Sequence, residues 1–375
     1  MSRRDSPKCL FPPIENSASV SCLAYLILIA VSSCHHLAPP QPPDNIIDTT
    51  SHDFSWQITS FGDAIAGSSS LKDVFILSDT LAFAVGDIRK LDSLGTIETE
   101  SYNLARWDGA TWTIMHARTT FRGNVVTAPM DGVIAFSDHD IWLVGTDPIH
   151  GDGVTWNDYD IRQLFHDDSM TVSHAWGENS SDIYFAGGLG TILHYFLGSW
   201  VKVSTATRLP IQDIWGSRDP TTGQNDVLCL AANPFVNPQG KMILRVSGGS
   251  TESLPDSGLA LNLQGLWHIS HQQYYIVGNG IFFKSDINSQ SRWNGGPHQI
   301  TEFYGDAIRG SNLNNVFVVG DWGEVQHFNG STWASMKDQT GLSSGLYWSV
   351  AVKENLVIAV GDNSGTAVIA IGRRK

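Results

Sequence analysis

The chain is predicted to be all-β: a seven-bladed β-propeller of four-stranded antiparallel blades, with an N-terminal strand completing the last blade. Three observations predict it. A string occurs twice with one spacing: SDIYFAGGLGTILHYFLGSW at 181–200 and NNVFVVGDWGEVQHFNGSTW at 314–333 match at Gly187/Gly320, Gly190/Gly323, His194/His327 and Trp200/Trp333. Its hallmark, an apolar strand ending in a small residue and glycine, recurs at Val85-Gly86, Val144-Gly145, Ala186-Gly187, Val277-Gly278, Val319-Gly320 and Val360-Gly361, with a degenerate copy near Leu230-Ala231-Ala232. These seven markers lie 41–59 residues apart, a period that fits propeller blades once insertions are allowed. Finally, the last unit stops after three strands at Ile371-Gly372, while His52–Ile58 reads as an unclaimed fourth strand. Six or eight blades and an open solenoid are the alternatives, but a spare strand at one end and a missing one at the other argue for closure.

Within each unit the elements follow a fixed order. An apolar run precedes each marker: Val74–Leu77, Val133–Phe136, His174–Trp176, Ile211–Trp215, Gly265–Ile269, Asp306–Ile308 and Trp348–Val352. A third run follows several markers, at Thr191–Tyr195, Ile281–Lys284, Glu324–Phe328 and Ala367–Ile371. Then come a tight turn and a tryptophan, as in Asp108-Gly109-Ala110-Thr111-Trp112 and Asn329-Gly330-Ser331-Thr332-Trp333. Short runs without a helical period, punctuated by Gly, Asn and Asp, read as a β-meander. Such a sheet cannot bury both faces alone; stacking around an axis buries them and limits exposed edges.

Ahead of the repeats, residues 1–33 read as a signal peptide. Leu23–Val31 is a nine-residue apolar run behind Arg3, Arg4 and Lys8, too short to span a bilayer. It ends in Val31-Ser32-Ser33-Cys34, which resembles the bacterial lipoprotein box and marks Cys34 for lipidation. An ordinary secreted protein, a misassigned start or another anchor are the alternatives. His35 rather than aspartate follows Cys34, and by the usual sorting pattern that resemblance implies an outer-membrane or cell-surface, extracytoplasmic lipoprotein. Residues 34–51 form a tether whose Pro39, Pro40, Pro42 and Pro43 favour extended polyproline II. Residues 52–375 form the propeller. With Cys34 lipidated, Cys229 has no partner and reads as a buried apolar thiol.

The formal charge is −14; residues 1–33 hold three basic and two acidic side chains, so the mature chain carries −15. An acidic surface repels phosphate backbones and anionic headgroups, so nucleic acid is not an expected partner and membrane contact runs through the N-terminal lipid only. The ring is expected to be a monomer. No G-x-S-x-G elbow, H-E-x-x-H, P-loop or C-x-x-C is present. A glycosidase needs only two carboxylates across a cleft, and their placement cannot be read from spacing.

Loop lengths locate the recognition surface. Long segments fall mostly at the second-to-third turns and the blade-to-blade connections: Asp87–Ser101, His116–Asp131, Thr146–Asp158, Asn233–Gly240, Ser247–Gln264 and Asp286–Gly305. Loops free of packing duty commonly bind. Candidate binding residues are Trp156 and Trp322, expected as exposed rings, and Asp152, Asp158 and Asp160 in the polar insertion of blade two. Their spacing does not match a calcium loop, so no metal and no cofactor are expected. Asp87, Asp321 and Asp362, each following a marker, read as turn formers. Trp176, Trp215, Trp267 and Trp348 read as wedges between blades, and His194 and His327 as strand-packing residues.

The strings DIYFAGGLGTILHYFLGSW and NVFVVGDWGEVQHFNGSTW resemble blades of bacterial secreted propellers of the photosystem II assembly factor-like and sialidase-like BNR-repeat type, over residues 52–372. Asp108-Gly109-Ala110-Thr111-Trp112 departs from the sialidase Asp-box, S-x-D-x-G-x-T-W, by lacking the spacer between Asp and Gly. The resemblance implies fold more than activity. Three functions stay open: a non-catalytic binding or scaffold module for a protein or glycan of the cell envelope, a carbohydrate-active glycosidase or lyase, and an envelope-complex assembly factor.

Overall fold

The structure, a computed structural model, describes residues 48–342 and 344–375. Residues 1–33, read above as a signal peptide, Cys34 and nearly all of the expected tether lie outside the described residues. The described residues form one compact unit. It is a ring of seven four-stranded antiparallel sheets.

Blade one comprises Ser70–Ser78, Leu81–Ile88, Tyr102–Trp107 and Trp112–Met115. Blade two comprises Gly132–Ser137, Asp140–Val144, Pro148–Gly151 and Trp156–Asp158. Blade three comprises His174–Asn179, Asp182–Ala186, Ile192–Phe196 and Ser199–Lys202. Blade four comprises Ile211–Arg218, Asn225–Ala232, Lys241–Ser247 and Ser250–Leu254. Blade five comprises Leu263–Ile269, Gln273–Gly278, Gly280–Lys284 and Asn294–Gly296. Blade six comprises Gly305–Asn312, Asn315–Gly320, Val325–Phe328 and Trp333–Ser335. Blade seven comprises Leu346–Lys353, Leu356–Asn363 and Thr366–Arg374, closed by Phe54–Phe61 from the other end of the chain. A hairpin, Thr119–Phe121 with Asn124–Val126, is added between blades one and two.

First strands stand side by side around the axis, and that of blade seven packs beside that of blade one. The core lies between blades as seven apolar clusters. Tryptophans fill the widening gaps as expected: Trp176 of blade three lies on Gly216 of blade four, and Trp267 of blade five on Gly310 of blade six. Cys229 is buried and makes no disulfide among the described residues.

Two local devices explain the repeated letters. Asp108 and Asn329 accept hydrogen bonds from backbone N–H groups two and three residues on, at 2.7–2.9 Å in the first turn and 2.9–3.0 Å in the second. These Asx turns reverse the chain between the third and fourth strands. The second device clasps strands two and three. His194 stacks on Tyr184 at 4.0 Å and bonds Asp182 at 2.7 Å. His327 stacks on Phe317 at 4.5 Å and bonds Asn315 at 3.2 Å, and His150 repeats the arrangement on Trp142 and Asp140. The histidines are therefore packing residues, and burial, with nearby His52 and Arg374, holds His327 down at about 3.

Three expected insertions contain strands of the blades themselves. Thr146–Asp158 is a short turn, the third strand, an Asx turn and the fourth strand of blade two. Asp152-Gly153-Val154-Thr155-Trp156 repeats the Asx motif, with Asp152 accepting from Val154 and Thr155 at 2.9 and 2.7 Å. Likewise Ser247–Gln264 contains the fourth strand of blade four, and Asp286–Gly305 that of blade five. Weak β-propensity in these segments hid strands that cross-strand pairing supplies.

Candidate functional site

The site forms where the first strands begin. In five blades the first strand carries a β-bulge at one place, between Leu71 and Asp73, Ile211 and Asp213, Leu263 and Gly265, Gly305 and Ala307, and Tyr347 and Ser349. The extra residues, Lys72, Gln212, Gln264, Asp306 and Trp348, leave the ladder and line one mouth of the central channel. Re-aiming a side chain is what a bulge does. Asp131 and Ser173 occupy the same level in blades two and three.

The bulge also accounts for the marker glycines of blades six and seven. It presses the first strand onto the second, so a Cβ at Gly320 or Gly361 would come 1.9 Å from a backbone carbonyl oxygen, that of Tyr304 or Leu346. Close backbone approach selects glycine there.

The mouth encloses a cavity of about 290 Å³. Its floor is a polar belt. Arg309 pairs with Asp213 through Nη1 and Nη2, both at 2.8 Å, and lies over the Trp215 ring at 4.9 Å. Asp73 accepts from Ser349 Oγ at 2.6 Å and from the backbone of Val133 at 2.9 Å, joining blades seven, one and two. Asp213 accepts from the backbone of Leu266 in the same way. Asp73 and Arg309 also face a second cavity of about 240 Å³, walled by Val74, Ile134, Trp176 and Val350, so the channel is polar at one mouth and apolar at the other.

Electrostatic compensation at the polar mouth is incomplete. Asp306 is 8% exposed, and its Oδ2 has no partner among the described residues. Burial, reinforced by Asp321 and opposed by Lys72, pushes its carboxyl up to about 8. Burial also raises Asp131 and Asp321. Lys72 sits over the Trp348 ring at 3.7 Å, and burial lowers its ammonium against the pull of Asp362, Asp131 and Asp306. Gln264 Oε1 and the Tyr304 hydroxyl are buried at the same rim without a partner among the described residues.

Around this mouth runs an apolar rim. Of the fifteen large hydrophobic residues exposed among the described residues, ten lie on second-to-third turns or blade-to-blade connections, Ile65, Leu94, Val125, Leu189, Phe235, Leu261 and Trp322 among them. Phe235 is 76% exposed and reaches Tyr304 at 5.6 Å, tying rim to mouth. Leu189 and Trp322 hold the same position in the repeat, each with positive φ at the tip of a Gly-rich turn. The opposite face carries few such residues, among them Val154 and Leu197 in third-to-fourth turns.

The residues singled out by sequence separate. Trp322 is exposed, at 52%, on the rim. Trp156, expected as an exposed ring, is 8% exposed and packs in the core between blades one and two, because it fills the post-turn tryptophan position of its blade. Asp152 caps a turn on the opposite face. Asp158 lines a cavity of about 510 Å³ beside the mouth, sharing Asp131 with it, and burial with the charges of Asp147 and Asp160 raises it to about 6. Asp160 caps the short helix Ile161–Phe165 and pairs with Arg122 at 2.9 Å. Asp362 accepts from Trp348 Nε1 at 2.9 Å, and Asp321 faces Asp306, so these marker aspartates belong to the mouth rather than to turns alone. Trp348 lines the mouth instead of wedging between blades.

Sequence reasoning missed the bulge residues. Their signal was a position that varies (Lys72, Gln212, Gln264, Asp306, Trp348) between neighbours that repeat. Among the described residues, no group of three or more His, Cys, Asp and Glu is placed to hold a metal ion.

No protein-family profile and no curated protein sequence matches the chain. Solved structures do. A structure of YCF48 bound to D1 peptide superposes with TM-score 0.60 at 13% identity, covering 87% of this chain and 99% of that one. The WD40 β-propeller domain of Doa1 gives 0.58 at 13% identity, covering 85% and 97%. Virginiamycin B lyase from Staphylococcus aureus gives 0.58 at 11% identity, covering 86% and 100%. At these identities the likeness is one of fold: the chain is a seven-bladed β-propeller, an architecture that one of these structures shows with a bound peptide.

Proposed function

We propose that this protein is a non-catalytic binding module that engages a polypeptide partner of the cell envelope on the polar-mouth face, held outside the cytoplasm by a lipid on Cys34. The observation that carries the reading is the coincidence of an apolar rim with an under-compensated mouth on one face. Exposed apolar side chains around a polar depression mark interaction sites, and turns rather than strands supply them. The anchor rests on the apolar run Leu23–Val31 and the Val31-Ser32-Ser33-Cys34 box. Incorporation of labelled palmitate, lost in Cys34→Ser, tests it.

Binding to an array of random-sequence peptides and to a glycan array tests the partner class. The wild type is expected to bind a subset of peptides and to lose them in Leu189→Asp/Leu261→Asp, two rim positions. Glycan binding without peptide binding, or an unchanged peptide profile in the variant, overturns the reading.

A further inference from the structure

We propose that the mouth takes an organic cation, the ammonium or guanidinium of a lysine or arginine side chain carried by the bound segment, with Asp306 as its principal counter-ion and Asp321 beside it. The proposal rests on the polypeptide reading above and specifies its chemistry.

Four observations carry it. Asp306 lines the cavity at 8% exposure with Oδ2 unpartnered. A buried carboxylate oxygen without a donor is costly, and natural structures pair it. Gln264 Oε1, a second acceptor, is also buried without a partner among the described residues, and of the groups at this rim only the Tyr304 hydroxyl is an unpartnered donor. Charge is out of balance in the same sense. Arg309 is committed to Asp213, which leaves the ammonium of Lys72 facing Asp131, Asp306 and Asp362, with Asp321 beside Asp306 and the His174 imidazole beside Asp131. Lys72 does not close the gap: it lies over Trp348 and makes no ion pair with the described residues. The mouth is also shaped for an organic ion, since Trp348 and the Phe235–Tyr304 pair offer aromatic surface to an alkyl stem, whereas no metal-holding group is present among the described residues.

Binding would ionise Asp306. Facing it are Tyr304 and Asp321 from blade six and Lys72 from blade one, while Asp73, Asp131, His174 and the Asp213–Arg309 pair line the same cavity. With the free carboxyl at about 8, cation affinity is expected to climb through pH 6–8 and level off above. The rise is roughly tenfold per pH unit below the transition.

The test is titration calorimetry of capped pentapeptides with a central lysine, arginine, norleucine or glutamate between alanines, and of spermidine, on wild type, Asp306→Asn and the far-face control Asp79→Asn. Lysine and arginine peptides are expected to bind the wild type and the control alike. Asp306→Asn is expected to weaken them roughly 10- to 100-fold, the worth of a hydrogen bond to a charged group. It is also expected to abolish the pH dependence. Equal binding of the norleucine peptide, or preference for glutamate, overturns the cation site and leaves the polypeptide reading standing. Spermidine binding that Asp306→Asn abolishes, with no peptide bound, supports the cation site and overturns the polypeptide reading. No binding by any probe overturns the proposal. A melting temperature for Asp306→Asn at or above wild type shows that lost binding is not lost folding.

Discussion

Arg309 of blade six holds Asp213 of blade four in a two-point ion pair, both contacts at 2.8 Å, reaching past blade five. Its Nη1 also donates to the Leu266 carbonyl of the intervening blade. Burial works against the guanidinium charge, yet Asp213, with Asp73 beyond, holds Arg309 above its ordinary value. One side chain thus ties three blades across the axis.

Removing that tie strands a buried carboxylate. Arg309→Ala is expected to destabilise by about 3–5 kcal/mol, the cost of breaking a buried pair from one side. Arg309→Met/Asp213→Asn is expected to recover more than half of it. Denaturant melts measure both; equal losses in the single and double variants would show that the pair itself, not the orphaned charge, matters.

Asp306 makes stability depend on pH. Its folded value, about 8, lies above the ordinary carboxyl value of 3.8, so the folded state binds the extra proton. Its contribution is full below about pH 4, is lost as pH rises to about 8, and is flat beyond, at roughly 1.4 kcal/mol per unit in the window. Asp306→Asn is expected to match wild type near pH 4 and exceed it at pH 8. Thermal melts across this range check it; parallel profiles count against an uncompensated carboxylate.

The closing strand is expected to be indispensable. Phe54–Phe61 pairs along its full length with Thr366–Arg374, and His52 meets His327 at 2.8 Å. Deleting residues 1–61 exposes the edge of blade seven and is expected to abolish cooperative unfolding. Deleting residues 1–47 is expected to leave the melting temperature unchanged. Calorimetry of the two truncations decides.

The marker glycine is expected to be intolerant where the bulge presses on it. Gly320→Ala drives a Cβ into the Tyr304 carbonyl and is expected to cost about 1–3 kcal/mol, the range for overpacking. Blade four carries Ala231 at the equivalent place, and Ala231→Gly is expected to cost under about 1 kcal/mol, the backbone entropy term alone. Equal losses at both sites would remove close approach as the reason for the marker.

Periodicity by itself determined the ring. Blade number, strand order and the borrowed N-terminal strand follow from letters that recur at one spacing, because each blade repeats the same packing problem. The Asx motif was legible too, and its third copy at Asp152–Trp156 was readable yet hidden by the surrounding acidic letters. The mouth was not legible. Lys72, Asp306 and Trp348 are scattered over the whole chain, and a bulge, which appears only when two strands pair out of step, turns each toward the axis. Whether a carboxylate is compensated depends on what six other blades place beside it. Sequence spacing carries no such distances, so tertiary closure alone decided that Asp306 is buried without a partner while Asp213 is held by Arg309.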